Sequence, residues 1–124
     1  MGTNSRIAYE EDGVIYSIYV HFDGYIQGGI GDWLLVNLTN IELIRFFLIK
    51  GDRRSVLSEE LYDVELQTDE TPAKLLTRSF KQGCYYVYLF WQGEWLVCTR
   101  AVEDGEYVFK NLREKVYFHL CQKL

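Results

Sequence analysis

The chain has 124 residues, 48% of them hydrophobic and 25% charged, which fits one folded domain spanning 1–124 and excludes a disordered chain. A net charge of −5 without an uninterrupted basic tract argues against direct nucleic-acid binding, which needs clustered Lys and Arg against phosphate. No apolar run approaches the roughly 20 residues of a membrane span, and Cys84, Cys98 and Cys121 form neither a CxxC pair nor an even-numbered disulfide framework, so reduced, buried thiols and a cytoplasmic setting are expected.

The first residues, Met1 to Arg6, lack an apolar segment of the kind a secretory leader carries. Ile7-Ala8-Tyr9 and Val14 to Phe22 flank Glu10-Glu11-Asp12-Gly13, and Asp-Gly between β-formers predicts a hairpin because its turn needs positive φ. On the second strand Tyr16, Ile18, Val20 and Phe22 share one face, the expected core side, opposite Ile15, Ser17, Tyr19 and His21. Asp23 to Asp32 reads as a glycine-rich loop, followed by a helix over Trp33 to Leu38. Thr39-Asn40 marks a break with an N-cap before a second helix, Ile41 to Lys50, with Leu43, Phe46 and Phe47 as its expected inward stripe and Gly51 as its stop. Lys50-Gly51-Asp52-Arg53-Arg54 reads as a solvated helix end.

Arg53 to Gln67 admits either a capped turn or a strand through Tyr62, Val64 and Leu66. Asp69-Glu70-Thr71-Pro72 opens a third helix, Ala73 to Phe80, which Gly83 closes. Tyr85 to Trp91 and Glu94 to Arg100 form a second hairpin turning at Gln92-Gly93, and Glu103-Asp104-Gly105-Glu106 is a further turn. From Tyr107 to Gln122 the spacing of Val108, Leu112, Val116 and Leu120 favours a helix, with a strand start at Tyr107–Phe109 as the alternative. The predicted class is α+β, an antiparallel sheet of two hairpins packed against two to four helices.

Few groups suggest chemistry. His21 and His119 are the only histidines, and neither enters a recognisable Ser-His-Asp or Cys-His arrangement. His21-Phe22-Asp23 could pair an imidazole with a carboxylate, or His21 could bond backbone while Asp23 starts a turn. Gly28-Gly29-Ile30-Gly31 before a helix could cradle an anion on free backbone N–H groups, although Asp32 and Trp33 stand where a phosphate binder would carry a cation. Asp32 fits an N-cap or a first-turn acid. The acids from Glu59 to Glu65, continued at Asp69-Glu70, read as a solvated face or as a negative patch for a basic partner. Trp91 and Trp95 flank a turn, where exposed rings would anchor an interface and buried ones would belong to the core.

Four pieces of the sequence resemble a group of small uncharacterised proteins common in bacteriophages and mobile elements. They are Met1-Gly2-Thr3-Asn4-Ser5-Arg6-Ile7, similar to that group's MGTxSRI start; Ser17 to Tyr25, similar to a strand ending in His-(Trp/Phe)-Asp-Gly-Tyr; Leu48-Ile49-Lys50-Gly51-Asp52; and Tyr86 to Phe90 with Gly93 to Val97. The loop Asp23 to Gly31 departs from that group's DGYPEGVG by lacking the proline and changing the spacing. The resemblance implies a phage protein acting in the cytoplasm of a bacterial host.

These readings lead to a non-enzymatic phage accessory protein that binds and modulates a host protein, with inhibition of a defence component as the specific case. No cofactor or metal is expected, and a homo-oligomer is left open. The candidate binding residues are His21, Asp23, Tyr25, Gly28, Gly29, Gly31, Asp32 and Trp33, with Trp91 and Trp95 as a second patch. The alternatives are a nucleotide or anion binder using the glycine-rich loop and a small enzyme using His21 and Asp23.

Overall fold

The structure, a computed structural model, describes residues 3–56 and 66–116. Its elements are β1 (Ser5–Glu11), β2 (Val14–Val20), α1 (Ile30–Asn37), α2 (Ile41–Leu48), β3 (Gln67–Asp69), α3 (Pro72–Lys81), β4 (Tyr86–Trp91), β5 (Glu94–Thr99) and β6 (Lys110–Asn111). A helical segment starts at Leu112. The fold is α+β, as its sequence predicts. The acidic residues Glu59 to Glu65, along with His119 and Cys121, lie outside the described residues.

The three turns come where Asp-Gly or Gln-Gly stands. Asp12-Gly13, Gln92-Gly93 and Asp104-Gly105 all have positive φ at both positions, the geometry that matches the right-handed twist of paired strands. Helix starts are equally local. Asn40 caps α2 by accepting from the Leu43 N–H at 2.9 Å, and Thr71 caps α3 by accepting from the Lys74 N–H at 3.2 Å, with Pro72 in the first turn. The first helix begins earlier than predicted, at Ile30, and its capping residue Gly29 offers no side chain. The helix favoured from Tyr107 begins only at Leu112, and a short strand at Lys110–Asn111 precedes it in place of the alternative strand start at Tyr107–Phe109, with Val108 exposed.

Among the described residues the six strands order as β3-β2-β1-β4-β5-β6. Both hairpins are antiparallel, but they join through a parallel contact in which Ser5 to Tyr9 of β1 face Tyr86 to Phe90 of β4. A parallel neighbour requires a long crossover, and here α1, α2, β3 and α3 supply it.

That crossover covers the sheet on both faces. Ile7, Ile18, Val20, Tyr88 and Val97 pack with Ile30, Leu34, Ile44 and Leu48 of α1 and α2, and Leu112 joins them. On the reverse face Ala8, Ile15, Val87, Leu89 and Cys98 pack under Leu75, Leu76 and Phe80 of α3. The expectation of a single core face on β2 is therefore corrected. Ile18 and Val20 are buried as expected, but Ile15 and Ser17 on the opposite face are buried too, because α3 lies over them.

The inward stripe of α2 is also corrected. Ile44 and Leu48 point to the sheet, while Leu43 and Phe46 face outward and Phe47 is half-buried. The segment after α2 is no solvated helix end. Gly51 turns the chain with φ +86°, and Arg53 lies beside Val20 in a parallel bridge, only 5% exposed.

Candidate functional site

The loop from His21 to Trp33 is built from inward-pointing backbone. The N–H groups of Ile30, Gly31, Asp32 and Trp33 donate to the carbonyls of Asp23, Tyr25, Ile26 and Gly29 at 2.8, 3.4, 3.0 and 3.3 Å. The Gly28 N–H donates to the Asp32 carboxylate at 2.6 Å, so Asp32 serves as a first-turn acid. Its glycines answer crowding by the chain itself. A Cβ on Gly29 would lie 2.5 Å from the Asp23 carbonyl oxygen, and one on Gly31 would lie 2.3 Å from that of Ile26. Free N–H groups are what an anion cradle needs, and here loop carbonyls already occupy those at the helix start.

His21 and Asp23 find separate partners. His21 Nδ1 shares a 2.9 Å hydrogen bond with the Tyr19 hydroxyl, and its ring meets Phe22 edge-on. Asp23, held at φ +62°, accepts from the Tyr25 hydroxyl at 3.2 Å. The charge of Asp23 and this hydrogen bond raise the Tyr25 pKa. The Tyr25 ring is exposed, whereas those of His21, Phe22 and Trp33 are half-buried. The buried Tyr88 hydroxyl ties the loop to the sheet by donating to the Gly24 carbonyl at 2.6 Å.

The two tryptophans of the second hairpin separate to opposite faces of the sheet. Trp95 pairs with Phe90, whereas Trp91 pairs with Glu94. Trp95 is 5% exposed and donates its indole N–H to the Leu38 carbonyl at 2.9 Å. It is a core residue, so its expected role as an interface anchor is corrected. Trp91 packs half-buried against the α3-side cluster.

The surface that sequence reasoning missed lies on α2. Leu43, Phe46 and Ile49 recur at three-residue spacing, and Phe46 and Ile49 are 67% and 69% exposed. Residues so spaced form one ridge on a helix. Lys50 sets its ammonium 4.8 Å from the Phe46 ring centre. Beside the ridge, Phe47 meets Trp33 at a tilt (centroids 5.0 Å apart, planes at 49°) and lies under the Arg53 guanidinium at 3.9 Å. Phe47 therefore joins α2 to Trp33 of α1, one of the candidate binding residues. On α1, Val36 is also largely exposed.

Other titratable groups have structural partners. Asp69 is buried and accepts from Arg78 at 3.0 Å and from Gln67 at 2.8 Å, and Glu70 pairs with Lys74 at 2.7 Å. Burial pushes the thiol pKa values of Cys84 and Cys98 up to about 11, which leaves neither as a thiolate at neutral pH. Among the described residues no group of three or more His, Cys, Asp or Glu side chains is placed to hold a metal ion, and no helix is long and apolar enough to cross a membrane. No family model, curated protein or solved structure matches the chain.

Proposed function

We propose that this chain is a non-enzymatic accessory protein of a phage or mobile element that works in the host cytoplasm by binding and inhibiting a host protein, a bacterial defence component being the specific case. The observation that carries the binding reading is the outward ridge of Leu43, Phe46 and Ile49 on α2. Large apolar side chains grouped on one exposed helix face gain nothing for the folded chain by itself, and they gain most when a partner covers them. Trp33 and Phe47 beside the ridge are the residue types that anchor interfaces. The net charge of −5 suits a basic surface around the apolar contact.

Two other readings have less support. An anion cradle at Gly28 to Gly31 would need free N–H donors, but loop carbonyls already occupy those of Ile30 and Gly31, and the Asp32 carboxylate occupies that of Gly28. A His21–Asp23 proton relay would need a contact between groups that bond Tyr19 and Tyr25 instead.

Affinity capture from host lysate with the wild-type chain and with a variant carrying Leu43→Glu and Phe46→Glu tests the proposal. Both sites are exposed, so the variant should unfold at the same temperature as wild type. A host protein held by the wild type should be lost from the variant, since truncating an interface anchor costs about 2 kcal/mol or more, roughly thirtyfold in affinity. Equal retention by both proteins, or no protein enriched over a mock resin, would contradict it.

A further inference from the structure

Arg53 sits where an arginine is hard to explain by folding alone. Its backbone is fixed into the sheet edge: its N–H donates to the Tyr19 carbonyl at 2.9 Å, and its carbonyl accepts from the His21 N–H at 3.1 Å. The side chain is 95% buried, with the guanidinium carbon 3.9 Å from the centre of the Phe47 ring. Nε and Nη2 are fully enclosed and, among the described residues, have no hydrogen-bond partner.

Other arginines in the protein are treated differently. Arg45 pairs with Glu11 and Arg78 with Asp69; the enclosed Arg6 also leaves Nε and Nη1 without a hydrogen-bond partner among the described residues, but the charges of Asp52 and Asp69 nearby offset its burial. For Arg53 burial lowers the pKa, and among the described residues no neighbouring charge offsets it. A guanidinium stays protonated even so, which leaves a positive charge and three N–H donors under the surface without a counter-charge. Buried donors are nearly always paired, and an uncompensated buried charge is among the costliest features a fold can keep.

The identity of the two free nitrogens is informative. Nε and Nη2 lie along one edge of the planar guanidinium with N–H bonds directed the same way in that plane, and together they form the side-on fork that grips two oxygens of a carboxylate or phosphate in parallel. The guanidinium carbon lies over the Phe47 ring, a cation–π contact that helps hold the group in place. We propose that Arg53 is the anchor of an oxyanion site at the edge of β2, its Nε–Nη2 fork taking one carboxylate or phosphate group. Because the fork is enclosed, the arriving oxyanion displaces the atoms that cover it, and the cost of the uncompensated charge in the empty protein is what favours that exchange. The site is separate from the docking ridge of α2, since Arg53 stacks on the half-buried Phe47 while Leu43, Phe46 and Ile49 face outward.

The test is a titration of the uniformly 15N-labelled wild-type chain, following the arginine Nε–H signals, with inorganic phosphate in one arm and acetate in another, at ionic strength held constant with sodium chloride. The Arg53 signal, assigned by its loss in Arg53→Met, should shift and saturate in at least one arm. Phosphate alone would point to a phosphorylated or nucleotide-like source, and acetate alone to an acidic side chain or chain terminus. Followed by the backbone amide signals of Val20 and His21, since neither variant keeps an Arg53 Nε–H, the interaction should weaken about tenfold in Arg53→Lys, which keeps the charge but not the fork. Arg53→Met should abolish it and raise the unfolding temperature of the anion-free protein. An Arg53 signal unmoved in both arms, or moved equally by chloride, would overturn the site. A lower unfolding temperature for Arg53→Met would also count against it, by showing that the enclosed charge is stabilised from within the fold.

Discussion

A methyl group on Gly31 would stand 2.3 Å from the Ile26 carbonyl oxygen and 2.8 Å from its Cα, and both are backbone atoms that cannot rotate aside. Gly31→Ala should therefore destabilise the protein by about 1–3 kcal/mol, as overpacking of a tight interior does, measured by denaturant unfolding. A change within experimental error would mean the loop is looser than described. The cluster of glycines from Gly24 to Gly31 was legible in the sequence as a loop, but its purpose was not. A glycine that admits a ligand and one that admits the chain's own carbonyl look the same until the carbonyl is placed. Trp95 was ambiguous for a similar reason. Alternation along the hairpin separates Trp91 from Trp95 only after the turn register is known, and burial of Trp95 depends on Leu38, 57 positions earlier, accepting its indole N–H. Arg53 was hidden by its neighbours, since Lys50, Arg53 and Arg54 together read as solvent-facing charge until Gly51 turns the chain back along Val20.

At the scale of elements, α2 is the instructive case. Its sequence Ile41-Glu42-Leu43-Ile44-Arg45-Phe46-Phe47-Leu48 is apolar around much of its circumference, so two stripes compete: Leu43, Phe46 and Phe47, or Ile44 with Leu48. Helical periodicity cannot choose between them. The sheet chooses, by presenting Ile7, Ile18 and Val20 to the narrower aliphatic stripe. This assigns opposite outcomes to two neighbouring truncations. Ile44→Ala, at a fully buried site, should cost about 2–5 kcal/mol, while Phe46→Ala should change stability by no more than about 0.5 kcal/mol. Paired urea melts decide it, and a reversed order would return Phe46 to the core and remove the ridge as a docking surface. Element boundaries with chemical markers were legible: the Asn40 and Thr71 caps and the three positive-φ turns all stand where their residue types place them. The start of α1 was not, because Gly29 caps it without a side chain, and the first-turn acid Asp32 is equally compatible with being the N-cap of a helix that begins later.

At the scale of the whole molecule, the two hairpins were visible in the sequence, but their parallel union through β1 and β4 was not. Nothing local in either strand specifies a neighbour some 80 positions away; the pairing follows from a crossover long enough to cover both faces of the sheet. With both faces covered, the apolar residues left outside stand out, and α2 carries Leu43, Phe46 and Ile49 among them. A partner for that ridge is the central claim, and site-specific photocrosslinking inside the bacterial host tests it most directly. A photoreactive phenylalanine analogue replaces Phe46 in one version of the protein and Thr77, on the exposed side of α3, in another. The account predicts a discrete adduct with one host protein from position 46 and none from position 77. Adducts of equal yield from both positions, or from position 77 alone, would contradict it.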